Sequence, residues 1–446
     1  MHREILERLV QWEDRTGRKP LLISGARGVG KTWAARQFGK ERFQKAAYFN
    51  LAENPRARGL FASGCDLGRI LLGLKIECGM DLGKGDALVI LDDIQEEPQA
   101  LGILARFGED APQIPVIAAG SRLGSLLHGS ASALFGKVDF MTMHPMTFSE
   151  FLAALGREDL QKLIASRDWA LAGAMKSSLI DLLGMYFFVG GMPEAVGAFC
   201  KGMDFNAARA AQKRLLDSYQ TDIAKHLKSA AAMRRAGMIL NSIPSQLAKG
   251  NKKFFYSLME HGARRKDYEA PLQWLDYAGL VRRICGIKDP RAPLASADGA
   301  PFKLYGLDVG LLCAQFKLDP RVLLEEDRIF WEFNGALAEQ YVLQELQAAG
   351  EDRVFYWTSE SGGAQVGFVV QHGDRAIPVE VMPCENLRSK NLRVYAGKFN
   401  PWRAFRFSIG DLRDEGWMVN VPLYAAGEFA RGGFAFQRER LIQRRP

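Results

Sequence analysis

The chain has 446 residues, 48% of them hydrophobic and 25% charged, with a net charge of +8 at pH 7. That length exceeds what one hydrophobic core serves, so two or three domains are expected, of ordinary soluble globular composition rather than disordered or fibrous. No apolar run reaches membrane-spanning length, so neither a membrane span nor a membrane partner is expected.

In chain order, the opening MHREILERLVQWEDRTGRKP reads as a charged amphipathic helix, neither a signal nor a transit peptide, which points to a cytoplasmic protein. Cys65, Cys78, Cys200, Cys285, Cys313 and Cys384 are scattered, without CxxC pairs or nearby histidines. They read as reduced thiols rather than a disulfide frame or a zinc site. The positive net charge fits contact with a polyanion without requiring it.

Leu21, Leu22 and Ile23 form a short apolar strand, followed by Gly25, Ala26, Arg27, Gly28, Val29, Gly30, Lys31 and Thr32, and then by a helical segment running to Phe38. This is the phosphate-binding loop pattern. Its glycines let backbone N–H groups approach phosphates, and the helix N-terminus adds partial positive charge. Lys31 reaches the β- and γ-phosphates, and the Thr32 hydroxyl is a ligand for Mg²⁺. ATP and Mg²⁺ are therefore the expected ligands.

A second strand is expected over 45–51 and helix over 56–74. Ala87 to Leu91 is a continuous apolar run, as in a strand buried on both faces of a parallel sheet, and it ends in Asp92-Asp93. Ligands bind beyond the carboxyl ends of such strands. Asp92 would hold the water shell of Mg²⁺, and Asp93 would orient or deprotonate the attacking water. Pro115 to Ala119 is the next strand, and Ser121 at its end is the candidate contact to the γ-phosphate or that water. A fifth strand is expected over 138–142. His144, before Pro145, is read as structural, with Thr147 or Ser149 capping the helix that follows.

The phrases LDDIQ, GSRLGSLL, FGKVDF, HPMTFSEFL and Gly190-Gly-Met-Pro-Glu194 together resemble one family, the bacterial and archaeal AAA-type ATPases with a C-terminal domain of unknown function. The resemblance covers nearly the whole chain. It implies an AAA-type ATPase core over 1–150, a helical lid over 151–228, a winged-helix-like domain over 229–290, a connector over 291–330 and a C-terminal domain over 331–446. Two departures stand out. The family usually has Asp-Glu where this chain has Asp92-Asp93, and Gly-Arg where it has Gly136-Lys137. Tyr219-Gln-Thr-Asp222-Ile resembles the family's Tyr-x-x-Asp-Ile segment, and Lys303 to Leu312 its phrase between the two halves.

Within 231–287 the short helices and the strand 280–284 resemble a winged helix-turn-helix. Lys249, Lys252, Lys253, Arg264, Arg265, Lys266, Arg282 and Arg283 supply a basic surface there. DNA contact and protein packing both fit it.

The C-terminal order is helix (331–346), strands (354–358, 365–371, 375–382), helix (387–398) and strand (404–409). This is the order of the restriction-endonuclease-like core. Such nucleases hold Mg²⁺ with an Asp on the second strand and a Glu on the third, and a Lys follows two residues later. Here those places hold Gly367, Glu380 and Met382, with Glu339 on the preceding helix. One carboxylate does not hold a hard cation that needs several oxygen ligands, so a dead nuclease site is expected. Arg388, Lys390, Arg393 and Lys398 keep the domain basic. The expected whole is a slow, ATP-dependent switch for a DNA or protein partner. The alternatives are an ATP-controlled nuclease and a non-hydrolysing ATP-binding interaction protein.

Overall fold

The computed structural model describes residues 2–434, apart from 65, 84, 122, 125–133, 135, 325–327, 361 and 384–388. The chain forms two compact units. The first comprises Met1–His144, Tyr219–Ala236 and Lys266–Val281, and the second Pro145–Ser218, Gly237–Arg265 and Arg282–Pro446.

The first unit is built on a five-stranded sheet of β1 (Leu21–Ser24), β2 (Lys45–Asn50), β3 (Ala87–Asp92), β4 (Val116–Gly120) and β5 (Asp139–Thr142), in the order β2-β3-β4-β1-β5. Every pairing is parallel. All residues of β3 and β4 are buried, which is why both read as unbroken apolar runs. Helix α1 (Ile5–Glu13) buries Ile5, Leu9 and Trp12. Helix α2 (Lys31–Arg42) follows the loop and lies close to the sheet. A Cβ on Gly39 would sit 3.0 Å from the Ala46 Cβ and 3.2 Å from Leu88 Cδ2. The helical stretch expected over 56–74 is two helices, α3 (Pro55–Ala62) and α4 (Leu67–Cys78), each started by a carboxamide or carboxylate cap, Asn54 and Asp66. Helix α5 (Gln99–Asp110) packs its apolar face into the same core.

The second unit carries an eight-stranded sheet. Its strands are β6 (Val281–Ile287), β7 (Phe302–Gly306), β8 (Val354–Thr358), β9 (Gln365–His372), β10 (Arg375–Val381), β11 (Ala404–Ser408), β12 (Arg413–Asp414) and β13 (Met418–Pro422). The order is β12-β13-β11-β10-β9-β8-β6-β7. Strand β9 is antiparallel to both β8 and β10, whereas β10 and β13 run parallel to β11. The helix Arg328–Ala348 precedes β8, and the helix Lys390–Phe399 joins β10 to β11. Strand β6, expected over 280–284 within a winged helix-turn-helix, pairs with β8 through Gly286↔Tyr356 and Ile287↔Trp357 and so belongs to this sheet.

Two of the phrases that carry the resemblance, HPMTFSEFL and Gly190-Gly-Met-Pro-Glu194, serve packing here. Gly190 and Gly191 leave no room for a side chain, since their Cβ atoms would lie 2.2 Å from Asp308 Oδ1 and 2.1 Å from the Met146 carbonyl oxygen. Asp308 accepts hydrogen bonds from the Gly191 and Leu311 amides and caps the helix Val309–Gln315. Thr147 caps the helix Phe148–Ala154 in a reciprocal pair with Glu150.

Glu339 is buried among cations. It accepts from Lys252 Nζ at 2.8 Å, Lys303 Nζ at 3.5 Å and Tyr305 Oη at 2.6 Å. Burial alone would raise its carboxyl, but the two ammonium charges outweigh that and hold it at about 2. This corrects one sequence expectation. Lys252 is spent inside the protein and is not part of an exposed basic surface. Glu339→Ala would leave two buried ammonium groups unpaired and is expected to cost roughly 3–5 kcal/mol, read as a lowered thermal midpoint.

Candidate nucleotide site

Strands β1, β3 and β4 all deliver their carboxyl ends to one edge of the first sheet. The loop from Gly25 to Gly30 leaves β1 there and enters α2 at Lys31. Gly28 and Gly30 take φ of 87° and 102°, which only glycine adopts without strain. A Cβ on Gly25 would lie 2.4 Å from the Met143 carbonyl oxygen, so a larger residue would push the loop off β5.

Lys31 curls back over the loop, with Nζ donating to the carbonyls of Gly25 at 2.9 Å and Ala26 at 2.8 Å. Burial lowers its pKa to about 8, against the opposing charges of Asp92 and Asp93. The ammonium thus sits in a partly desolvated loop with two carboxylates nearby, poised to exchange carbonyl partners for phosphate oxygens.

The exposed Thr32 donates its hydroxyl proton to Asp92 Oδ2 at 2.6 Å, and Tyr48 Oη donates to the same oxygen at 2.8 Å. The other oxygen, Oδ1, accepts from the Asp93 amide at 3.0 Å. The two residues expected to serve Mg²⁺ are therefore adjacent. A hydroxyl and a carboxylate suit that ion, which prefers oxygen ligands and keeps several waters. Among the described residues no group of three or more His, Cys, Asp or Glu side chains could hold a metal, so such a cation would depend on this pair, water and phosphate.

Asp93 has a left-handed backbone, φ 50° and ψ 43°, a conformation that Asp tolerates better than most residues. Its Oδ1 accepts from Gln95 Nε2 at 2.8 Å, and Gln95 Oε1 accepts from the Ser121 amide at 3.1 Å. Gln95 thus bridges the ends of β3 and β4 and joins the two residues expected to act on the attacking water. Sequence reasoning missed Gln95, although it lies within the LDDIQ phrase. Missing Tyr48 has a plainer cause, since only the register of β2 against β3 brings it near Asp92.

A further contact to the loop comes from far along the chain. Arg27 forms an ion pair with Asp222 at 2.8 Å, and Tyr219 Oη donates to the Arg27 carbonyl at 3.1 Å. The Tyr-x-x-Asp spacing is what lets one helix, Phe205–His226, present both groups to the loop. Arg27 is largely exposed, so the pair is worth about 1 kcal/mol or less. Asp222→Ala is accordingly expected to weaken ATP binding no more than roughly fivefold, as measured by calorimetry.

Of the expected nuclease positions, Glu339 and Gly367 are neighbours. Glu339 Oε1 lies 3.7 Å from where a Gly367 Cβ would be. Glu380 instead faces Ser389 and Arg406, its carboxyl raised by burial, and its buried Oε2 has no hydrogen-bond partner among the described residues. The Met382 amide extends the β10–β11 pairing by donating to the Phe407 carbonyl. Arg388 lies outside the described residues.

Residues 17–152 match the AAA_14 family, described as an AAA domain. Residues 180–322 and 334–415 match two domains of unknown function, DUF8612 and DUF4143. The first unit therefore contains an AAA-type P-loop domain. No curated protein matches the chain. Among solved structures, the Walker-type ATPase of Pyrococcus abyssi is similar at 18% identity, covering 71% of this chain and 95% of that one, with a TM-score of 0.42. The Aeropyrum pernix ORC1 protein, solved in complex with DNA, is similar at 14% identity, covering 72% and 93%, with a TM-score of 0.30. The Thermotoga maritima RuvB Holliday junction branch migration motor matches at 14% identity over 64% and 90%, also with a TM-score of 0.30. No helix among the described residues is long and apolar enough to cross a membrane.

Proposed function

We propose that the chain binds MgATP in the loop from Gly25 to Thr32, hydrolyses it slowly, and uses the exchange of nucleotide to switch its engagement of a DNA or protein partner. The observation that carries this reading is the convergence at one sheet edge of the Lys31 ammonium, the Thr32–Asp92 pair and the Asp93–Gln95–Ser121 bridge. The backbone N–H groups of Gly28 to Thr32 would receive the phosphates, and Lys31 would leave its two carbonyls to reach the β- and γ-oxygens. Thr32 and Asp92 would hold Mg²⁺, which when bound neutralises charge on the phosphates. Asp93, fixed by Gln95, would accept a hydrogen bond from the attacking water, and Ser121 would meet the γ-phosphate side. With Asp rather than Glu at position 93 the base is one methylene short, which favours a slow turnover. Phosphate release from the full chain at saturating MgATP tests this, and a rate no higher than buffer alone would leave a non-hydrolysing ATP-binding protein.

For residues 331–446 we favour a nuclease-like fold kept for binding. The helix–strand–strand–strand–helix–strand order supports the fold. The lysines that occupy Glu339, and Gly367 in place of a carboxylate, support the loss of metal chemistry. Lys390, Arg393 and Lys398, with Lys249, Lys253 and Arg264 of the winged-helix-like region, would supply phosphate contacts. The full chain is expected to cleave no DNA with Mg²⁺ or Mn²⁺, as scored on a gel. Products that vanish on Glu380→Ala would instead revive an ATP-controlled nuclease.

A further inference from the structure

Beside the phosphate loop, α2 and the edge strand β2 flank an open cleft of about 720 Å³. Its chemically distinctive lining is Trp33, Arg36, Lys40, Phe43, Lys45 and Tyr48, and no carboxylate takes part. Arg42, outside this lining, is already neutralised by Glu13 and Asp14. The lining cations are different. Arg36 stacks over the Tyr48 ring at 4.9 Å, and neither it nor Lys40 nor Lys45 forms an ion pair among the described residues. Trp33, Arg36 and Lys40 fall at intervals of three and four along α2, which puts them on one side of the helix. Trp33 is 40% exposed, so part of its ring is open to solvent.

Three unneutralised cations around one concavity call for a polyanion. An exposed aromatic side chain beside them, Trp33, narrows the class, because unpaired bases stack on such rings and paired bases do not offer their faces. A planar guanidinium laid on Tyr48 provides a further stacking surface. We propose that this cleft is a binding site for single-stranded nucleic acid. Lys40, Lys45 and Arg36 contact successive phosphates, and Trp33 stacks on a base. This site lies within the first unit, bordered by Thr32 at the end of the phosphate loop, and its occupant is expected to bind without ATP.

The test is a fluorescence-anisotropy titration of the full chain, without nucleotide, using a short fluorescein-labelled oligothymidylate across a range of salt. Lys40→Ala combined with Lys45→Ala should weaken binding and reduce the slope of log K against log salt by about 1.4, two contacts at roughly 0.7 each. Trp33→Ala should weaken binding roughly tenfold with the slope unchanged. Lys31→Ala should leave binding intact, which separates this site from the phosphate loop. The proposal is overturned by no binding at low salt, or by wild-type affinity in either the lysine or the tryptophan variant. It is also overturned if Lys31→Ala abolishes binding, if Trp33→Ala weakens duplex DNA binding as much as oligothymidylate binding, or if polyglutamate displaces the oligonucleotide as well as an equal charge of polyphosphate backbone does.

Discussion

Lys31→Ala is expected to abolish measurable ATP binding while leaving the fold intact. Nζ is the side-chain cation bonded within the loop itself, and it already rests on two loop carbonyls. Removing it deprives the β- and γ-phosphates of a charge-assisted donor in a partly desolvated site, where such bonds are strongest. Calorimetry checks this, with circular dichroism as the control for folding, and unchanged affinity would refute the assignment of the loop. The same lysine gives the binding a pH dependence of definite sign. In the free protein burial lowers its pKa to about 8, so below that pH the ammonium is present before ATP arrives. Above it, binding must take up a proton, and the dissociation constant should rise with pH by up to about tenfold per unit. A flat profile from pH 7 to 10 would mean that Lys31 carries no phosphate.

Asp93→Ala should lower hydrolysis by ~10²–10⁴ while leaving ATP affinity nearly unchanged. The carboxylate is held at one oxygen by Gln95, itself anchored on the Ser121 amide, so it is a positioned group rather than a mobile strand-end residue. Asp93→Glu should raise turnover, since the added methylene extends the base toward the water without disturbing Thr32 or Asp92. Single-turnover kinetics read both variants. A silent Asp93→Ala together with a flat or slower Asp93→Glu would remove residue 93 from the reaction.

The sequence made legible whatever depends on neighbours along the chain. The apolar run ending in Asp92 became a fully buried strand, and the glycines of the loop took the positive φ their spacing implies. The helices and strands from 328 to 408 also lie close to their expected places. What escaped depends on contacts between distant segments. Nothing near Arg27 announces Asp222, 195 residues away. Nothing near Glu339 announces Lys252 or Lys303, because a lysine in a short strand or loop ordinarily reads as exposed. Strand β13, with its satellite β12, escaped although four of the five residues from Met418 to Pro422 are apolar, since its pairing partner β11 decides whether so short a run is a strand.

The central claim is that this chain binds ATP at the loop from Gly25 to Thr32 and converts it slowly. A single-turnover experiment with labelled ATP tests it most directly: the full chain in excess over ATP, with Mg²⁺, sampled over time for bound ATP and ADP. The label should be captured as ATP and then turn into ADP with one slow exponential, and Lys31→Ala should capture none. Label that is never captured, or is captured equally by Lys31→Ala, would contradict it.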